Sequence, residues 1–151
     1  MKTSVVILAA GEGTRMSSNF PKAMQIFAGK PMLYHIKQAT EGLSSEQTLV
    51  VCSPDAEKHI AKALGSENQD IVYVQQKEPL GTGHALSCSL SKLNQENVVL
   101  VLLGDVPLIK PKTLHKLVAS AAKDTLTVLT AKISKPKGYG RLVRNTKNEI
   151  K

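Results

Sequence analysis

The sequence predicts the α/β fold class, as a three-layer sandwich in which helices cover both faces of a mostly parallel sheet. Short apolar runs recur along the chain and alternate with segments whose apolar residues repeat every three to four positions. These apolar runs are continuous, as in strands that are buried on both faces of a parallel sheet. With 151 residues, of which 42% are hydrophobic, residues 1–151 are expected to belong to one domain.

The predicted elements follow the order βαβαβαβαβ. The predicted strands are rich in Val, Ile and Leu and span residues 5–8, 48–52, 71–74, 98–103 and 126–129. The predicted helices lie between them and span residues 32–41, 55–64, 83–93 and 113–123. Right-handed crossovers join parallel strands, and ligands of such sheets bind outside the carboxyl ends of the strands. Functional residues are therefore expected where strands end.

The C-terminal segment differs from the rest of the chain. Residues 141–151 follow a Gly-Tyr-Gly sequence and read as a strand, a polar turn at 145–148 and a second strand that has scarcely begun. An unfinished edge strand is an unusual natural terminus. We therefore expect a C-terminal β-hairpin that is cut short, in a chain that is part of a longer protein.

Charge and composition limit the classes of partner. An excess of 20 Lys and Arg over 12 Asp and Glu gives a formal charge of +8, which favours an anionic partner such as a nucleotide. Only 3% of residues are aromatic and the basic residues are scattered, so nucleic acid is not expected. Cys52 and Cys88 lack disulfide or zinc-site spacing, which favours reduced, buried thiols. Since no stretch resembles a signal peptide or membrane span, we expect a cytoplasmic protein without a membrane partner.

The stretch LAAGEGTRM, residues 8–16, leaves the first predicted strand through small residues and glycines. Backbone N–H groups in such a turn can face a phosphate without an intervening Cβ, and Arg15 can add a charged contact. The stretch matches neither the dinucleotide fingerprint, because Met16 replaces its third small residue, nor the P-loop. Taken alone, Gly11 and Gly13 are equally well explained by the geometry of a strand-to-helix turn.

Two charged residues also lie near strand ends. Lys22 follows Pro21, which fixes the local backbone and can hold the ammonium against a triphosphate. Asp105 follows Gly104 just beyond the apolar strand at 98–103, where one carboxylate can bind Mg²⁺ together with substrate phosphates. A solvated loop lysine and an ordinary turn aspartate are the simpler interpretations of each residue alone.

The third predicted strand ends in QQKEPLGTGHA. The amide of Gln76 can donate and accept toward a base edge, and Gly81-Thr82-Gly83 allows close backbone approach before a helix. His84 is either a general base or, as we favour for a histidine without a partner in sequence, a hydrogen-bonding residue at the helix start. All these strand ends are expected at the same edge of one sheet.

Together, LAAGEGTRM, PKAM, LGTGHA, GDVPLI and GYGRL resemble the motifs of the sugar-nucleotidyltransferases. They are most similar to the N-terminal uridylyltransferase domains of bifunctional bacterial N-acetylglucosamine-1-phosphate uridylyltransferase/glucosamine-1-phosphate acetyltransferases. The resemblance implies a Rossmann-like sandwich of the nucleotidyltransferase type. It also implies Mg²⁺-dependent transfer of uridylyl from UTP to N-acetylglucosamine 1-phosphate, giving UDP-N-acetylglucosamine and pyrophosphate for cell-envelope precursors. Such in-line transfer relies on positioning and electrostatics and needs no covalent nucleophile.

The resemblance also assigns roles to individual residues. Arg15 and Lys22 are the implied catalytic residues, and Asp105 is the implied metal ligand. Leu103 stands where the family more often has Tyr or another residue that can make polar contacts. The implied substrate-binding residues are Leu8, Ala9, Ala10, Gly11, Gly13, Lys22, Gln76, Gly81, Thr82, Leu103, Gly104, Asp105 and Gly140.

The family's remaining sugar and metal ligands and its β-helix domain would follow Lys151. The resemblance therefore implies a monomeric part of a domain with weak or no activity, whereas the full-length protein would be a homotrimer. Two alternatives stay open. One is another nucleotidyltransferase, acting with CTP or GTP and on another sugar phosphate or a molybdenum cofactor. The other is a non-catalytic nucleotide-binding module.

Overall fold

Four strands and four helices alternate as predicted, with an additional short strand pair before the first helix and without the predicted fifth strand. The computed structural model describes residues 2–11, 21–65 and 70–150. The strands are β1 (Thr3–Leu8), β2 (Ile26–Phe27), β3 (Lys30–Pro31), β4 (Ser45–Cys52), β5 (Ile71–Gln75) and β6 (Val98–Leu103). The helices are α1 (Met32–Thr40), α2 (Glu57–Leu64), α3 (Thr82–Ser89) and α4 (Pro111–Ala119). Short 3₁₀ turns lie at Lys22–Met24 and Leu90–Lys92.

The main sheet is parallel and has the strand order β5-β4-β1-β6. Leu8, the last residue of β1, pairs with Val51 of β4 on one side and with Leu103 of β6 on the other. The carboxyl ends of these strands are therefore level. A separate antiparallel pair, β2 and β3, is joined by Ala28 and Gly29, both at positive φ as a tight two-residue hairpin requires.

The core lies on both faces of this sheet, which confirms the predicted three layers. Alternate residues of a strand point to opposite faces. Val5 and Ile7 belong to the cluster that packs with α1, α2 and α4, whereas Val6 belongs to the cluster that packs with α3. Burial of this apolar area is the main source of stability for such a sheet.

The prediction that β6 is buried on both faces was wrong. Its side chains alternate, with Leu100 and Leu102 buried, whereas Val99, Val101 and Leu103 are exposed. The second cluster contains residues of α3 and of β1, β4 and β5, and within the described residues it does not reach across to β6. One face of β6 is therefore open to solvent.

The predicted strand at residues 126–129 was also wrong. These residues form no regular element, and Leu126 is 87% exposed. Their β-prone side chains need a partner strand and a face to pack on, and β6 has no second strand partner among the described residues. Helix α4 likewise ends at Ala119, before the predicted residue 123.

The C-terminal segment turns back on itself as predicted, but the strand expected from residue 141 does not form. An isolated antiparallel bridge joins Arg144 and Ile150. The Asn145 side chain closes the turn, because its Oδ1 accepts hydrogen bonds from the backbone N–H groups of Lys147 (3.0 Å) and Glu149 (2.9 Å). The predicted polar turn at 145–148 is therefore confirmed.

The two cysteines are free thiols, but they differ in burial. Cys52 is buried and Cys88 is half-buried, so the prediction of two buried thiols was wrong for Cys88. Burial, with a smaller contribution from the charge of Glu57, raises the pKa of the Cys52 thiol to about 11. Among the helices that the structure describes, none is long and apolar enough to span a membrane.

Candidate functional site

The carboxyl ends of β1, β5 and β6 open into one cleft of about 250 Å³. Every predicted site residue that the structure describes, except Gly140, lines this cleft. The lining residues are Leu8, Ala9, Ala10, Gly11, Lys22, Ala23, Gln76, Pro79, Gly81, Thr82, Ala85, Leu103, Gly104 and Asp105. A larger groove of about 670 Å³ along the open side of β6 contains none of the predicted residues.

The floor of the cleft is the segment that leaves β1. The Ala9 N–H donates to Val51 O at 2.7 Å, which carries the chain across the end of β4. Ala9 and Ala10 are buried and line the cleft, and their small side chains take up little of its space. The Lys22 N–H donates to Gly11 O at 3.2 Å and so joins the two ends of the glycine loop. Gly13 and Arg15 lie outside the described residues.

Gly104 brings the end of β6 against the end of β1. Its N–H donates to Leu8 O at 2.8 Å. A Cβ at this position would lie 2.8 Å from the same oxygen and 3.1 Å from Ala23 Cβ, so a larger residue does not fit without movement. This close approach explains the glycine before Asp105 and sets that carboxylate at the mouth of the cleft.

Lys22 and Asp105 form an ion pair at this mouth, between Nζ and Oδ2. Their side chains are 43% and 30% exposed, so solvent screens the pair and its contribution to stability is small. The two charges can instead act on a ligand. The ammonium can meet an anionic group of a ligand, and the carboxylate can hold a cation.

Gln76 and Gly81 form the opposite wall. Gln76 is only 5% exposed, and its N–H donates to Cys52 O at 2.8 Å. Its side-chain Nε2 donates to Gly81 O at 3.2 Å. Gly81 adopts φ +95° and ψ −179°, a backbone conformation that essentially only glycine tolerates, and directly precedes α3. Thr82 then begins that helix at the edge of the cleft.

His84 lies in the first turn of α3 and is hydrogen-bonded, as we favoured from sequence. Its Nδ1 is 2.9 Å from Gln76 Nε2, and its Nε2 is 3.9 Å from Cys88 Sγ. Both ring nitrogens therefore have partners within the protein. This arrangement argues against the alternative of a general base.

Three lining residues were missed by sequence reasoning, namely Ala23, Pro79 and Ala85. Each lies inside a motif quoted from the sequence, and that position was the available signal. Gly140, by contrast, is exposed and does not line the cleft, so its role stays a prediction. Among the described residues no group of three or more His, Cys, Asp or Glu gathers as a metal cluster. Asp105 is the one carboxylate among the described residues that line the cleft.

Comparisons with known proteins give matches along nearly the whole chain. The sequence model of the MobA-like NTP transferase domain matches residues 5–143. The chain is 42% identical over 150 residues to the bifunctional protein GlmU of Alcanivorax borkumensis, a match that covers 99% of this chain and 32% of that protein. The chain therefore spans about a third of the length of the curated relatives it matches.

Solved structures share the fold at lower identity. A nucleotidyl transferase from Methanothermobacter aligns with a TM-score of 0.66 and 21% identity over 80% of this chain and 58% of that chain. A 4-diphosphocytidyl-2C-methyl-D-erythritol synthase from Anaerococcus prevotii aligns with a TM-score of 0.64 and 17% identity over 99% and 61%. These likenesses confirm the predicted fold class.

Proposed function

Because the chain belongs to the MobA-like NTP transferase family, we propose that its cleft binds UTP for transfer of uridylyl to N-acetylglucosamine 1-phosphate. One observation carries the proposal. An amide wall at Gln76 and a cation–carboxylate pair at Lys22 and Asp105 face one cleft at the carboxyl ends of parallel strands. In this arrangement one end suits a base and the other suits phosphates.

The base would lie on the floor of the cleft, beside the wall at Gln76. Ala9 and Ala10 present small side chains on that floor. Gln76 presents a buried amide in the wall, next to the glycine backbone at Gly81. A buried polar group that loses its ligand partner is costly, so such an amide discriminates strongly between base edges.

The phosphates would meet the Lys22 ammonium. In the proposed transfer, a phosphate oxygen of the sugar phosphate forms a bond to the α-phosphorus of UTP. The bond from that phosphorus to the bridging oxygen breaks, and pyrophosphate leaves with the electron pair. The lysine offsets negative charge that develops on the phosphoryl oxygens. Arg15, which lies outside the described residues, stays a predicted second cation at these phosphates.

The residues of the cleft can hold a divalent cation through Asp105. Mg²⁺ usually binds one or two carboxylates together with substrate phosphates and water, so Asp105 would supply the protein ligand and UTP most of the others. Bound Mg²⁺ would neutralise phosphate charge. Asp105 would then exchange its contact with Lys22 for the cation, which frees the ammonium for the phosphates.

A nucleotide panel tests the proposal. We expect calorimetric titrations with UTP, CTP and GTP in Mg²⁺ to show tightest binding for UTP. Tighter binding of CTP or GTP would indicate the alternative of a different nucleotidyltransferase.

Pyrophosphate release with N-acetylglucosamine 1-phosphate then separates catalysis from binding alone. We expect release by this chain to be much slower than by a GlmU enzyme assayed beside it, since Asp105 is the one carboxylate among the described lining residues and Gly140 does not line the cleft. Nucleotide binding with no release at all would favour a non-catalytic module. We also expect a cytoplasmic protein that is monomeric. Sedimentation of the purified chain measures its mass and so tests the monomeric state.

A further inference from the structure

We propose that His84 is a positioning residue, which fixes the Gln76 amide so that its carbonyl oxygen Oε1 selects the base. The inference rests on the proposed function for the identity of that base. His84 is not expected to touch the nucleotide, because both of its ring nitrogens already contact protein atoms. It would act through Gln76, which lines the cleft.

The contact with Gly81 fixes which amide group faces the wall. Gln76 Nε2 lies 3.2 Å from Gly81 O. A backbone carbonyl oxygen only accepts, so the group that faces it must be the NH₂ of the amide. A flipped amide would set two acceptors against each other in a buried place, which costs free energy.

The contact with His84 in turn fixes the tautomer of the imidazole. The same NH₂ lies 2.9 Å from His84 Nδ1, so Nδ1 must be unprotonated in order to accept. The proton of the neutral ring is then on Nε2, which lies 3.9 Å from Cys88 Sγ, a weak acceptor one turn further along α3. A directed chain of donation therefore runs from Gln76 through His84 to Cys88.

The Gln76 amide therefore offers the ligand a hydrogen-bond acceptor but no free donor. Both amide hydrogens of Gln76 are used inside the wall, on Gly81 O and His84 Nδ1. Oε1 is then the amide atom that remains for the base. Uracil carries an N–H at ring position 3, which donates to such an oxygen, whereas cytosine carries a lone pair there. His84 would thus favour UTP over CTP from a distance.

Two substitutions at His84 separate this role from packing. His84→Asn retains an acceptor close to the place of Nδ1, whereas His84→Leu keeps comparable bulk but cannot accept. Ser87→Ala is the matched control, since Ser87 is exposed on α3 and its hydroxyl donates to the His84 backbone carbonyl. We expect His84→Leu to lower the ratio of UTP to CTP affinity by about tenfold, the scale of one well-placed hydrogen bond. We expect His84→Asn and Ser87→Ala to retain the ratio of the wild type.

Imidazole ¹⁵N NMR of the nucleotide-free full chain tests the contact itself. We expect an unprotonated Nδ1 and a protonated Nε2 for His84 near neutral pH, and a Gln76 side-chain amide whose resonances move in His84→Leu. A protonated Nδ1, or a selectivity ratio unchanged in His84→Leu, would overturn the inference. A wild-type chain with the expected tautomer but without preference for UTP would instead contradict the proposed function, so the two failures are distinguishable.

Discussion

Lys22 and Asp105 are 83 positions apart in the sequence, yet their side chains form an ion pair at the mouth of the cleft. The approach of β6 to β1 at Gly104 and the 3₁₀ turn at Lys22–Met24 bring them together. The pair is too exposed to matter much for stability, so its importance is expected in ligand binding.

The carboxylate of Asp105 should couple metal and nucleotide. In the wild type we expect Mg²⁺ to tighten UTP binding by about tenfold, within the usual range of coupling between two ligands. Asp105→Asn should lose most of this effect yet bind metal-free UTP at least as well, because it removes a negative charge beside the phosphates. Titration calorimetry with and without EDTA measures both affinities. Asp55→Asn, at an exposed position away from the cleft, is the control.

The Lys22 ammonium should act on phosphates and not on the base. Lys22→Met keeps most of the side-chain length but removes the charge, and should weaken UTP binding by about ten- to a hundredfold, as for lost hydrogen bonds to charged groups. Uridine, which has no phosphate, should bind both proteins alike. Lys112→Met on the exposed surface of α4 tests whether net charge alone explains the loss.

Gly104 should matter for the stability of the fold as well as for the site. Gly104→Ala sets a Cβ against Leu8 O, and such overpacking typically costs about 1–3 kcal/mol of the free energy of unfolding. Gly140→Ala meets no atom within 4 Å and should change that free energy by less than about 0.5 kcal/mol. Urea unfolding of the two variants makes the comparison. Equal stability would show that the two strand ends are not held this closely.

The buried thiol of Cys52 should make the fold sensitive to alkaline pH. Its folded pKa of about 11 lies above the ordinary value of 9.0, so folding favours the protonated thiol. The corresponding stability is present below pH 9 and is lost as the pH rises through the folded value. Urea unfolding between pH 8 and 11 should therefore show falling stability, with a smaller fall in Cys52→Ala.

A disulfide reagent at pH 8 should modify half-buried Cys88 well before Cys52.

Much of the site could be predicted because parallel strands bring their carboxyl ends to one edge. That rule placed Gln76 and Asp105 together without knowledge of any contact between them. The apolar run at 126–129 misled, because strand propensity is satisfied only by a paired strand and a packed face. The strands β2 and β3 have two residues each, too few to show the alternation of apolar and polar residues that predicts a strand. The hydrogen bond between the Gln76 amide and His84 Nδ1 depends on side-chain rotation, which sequence spacing does not encode.

Amide and side-chain NMR shifts on addition of UTP and Mg²⁺ to the ¹⁵N-labelled chain test the central claim most directly. The account predicts that the largest shifts fall on Gly81, Asp105 and the side-chain amide of Gln76, around the cleft at the carboxyl ends of the strands. It also predicts small shifts along the larger groove beside β6, at Val99 and Thr127. Largest shifts in that groove, with Gln76 and Asp105 unaffected, would contradict it.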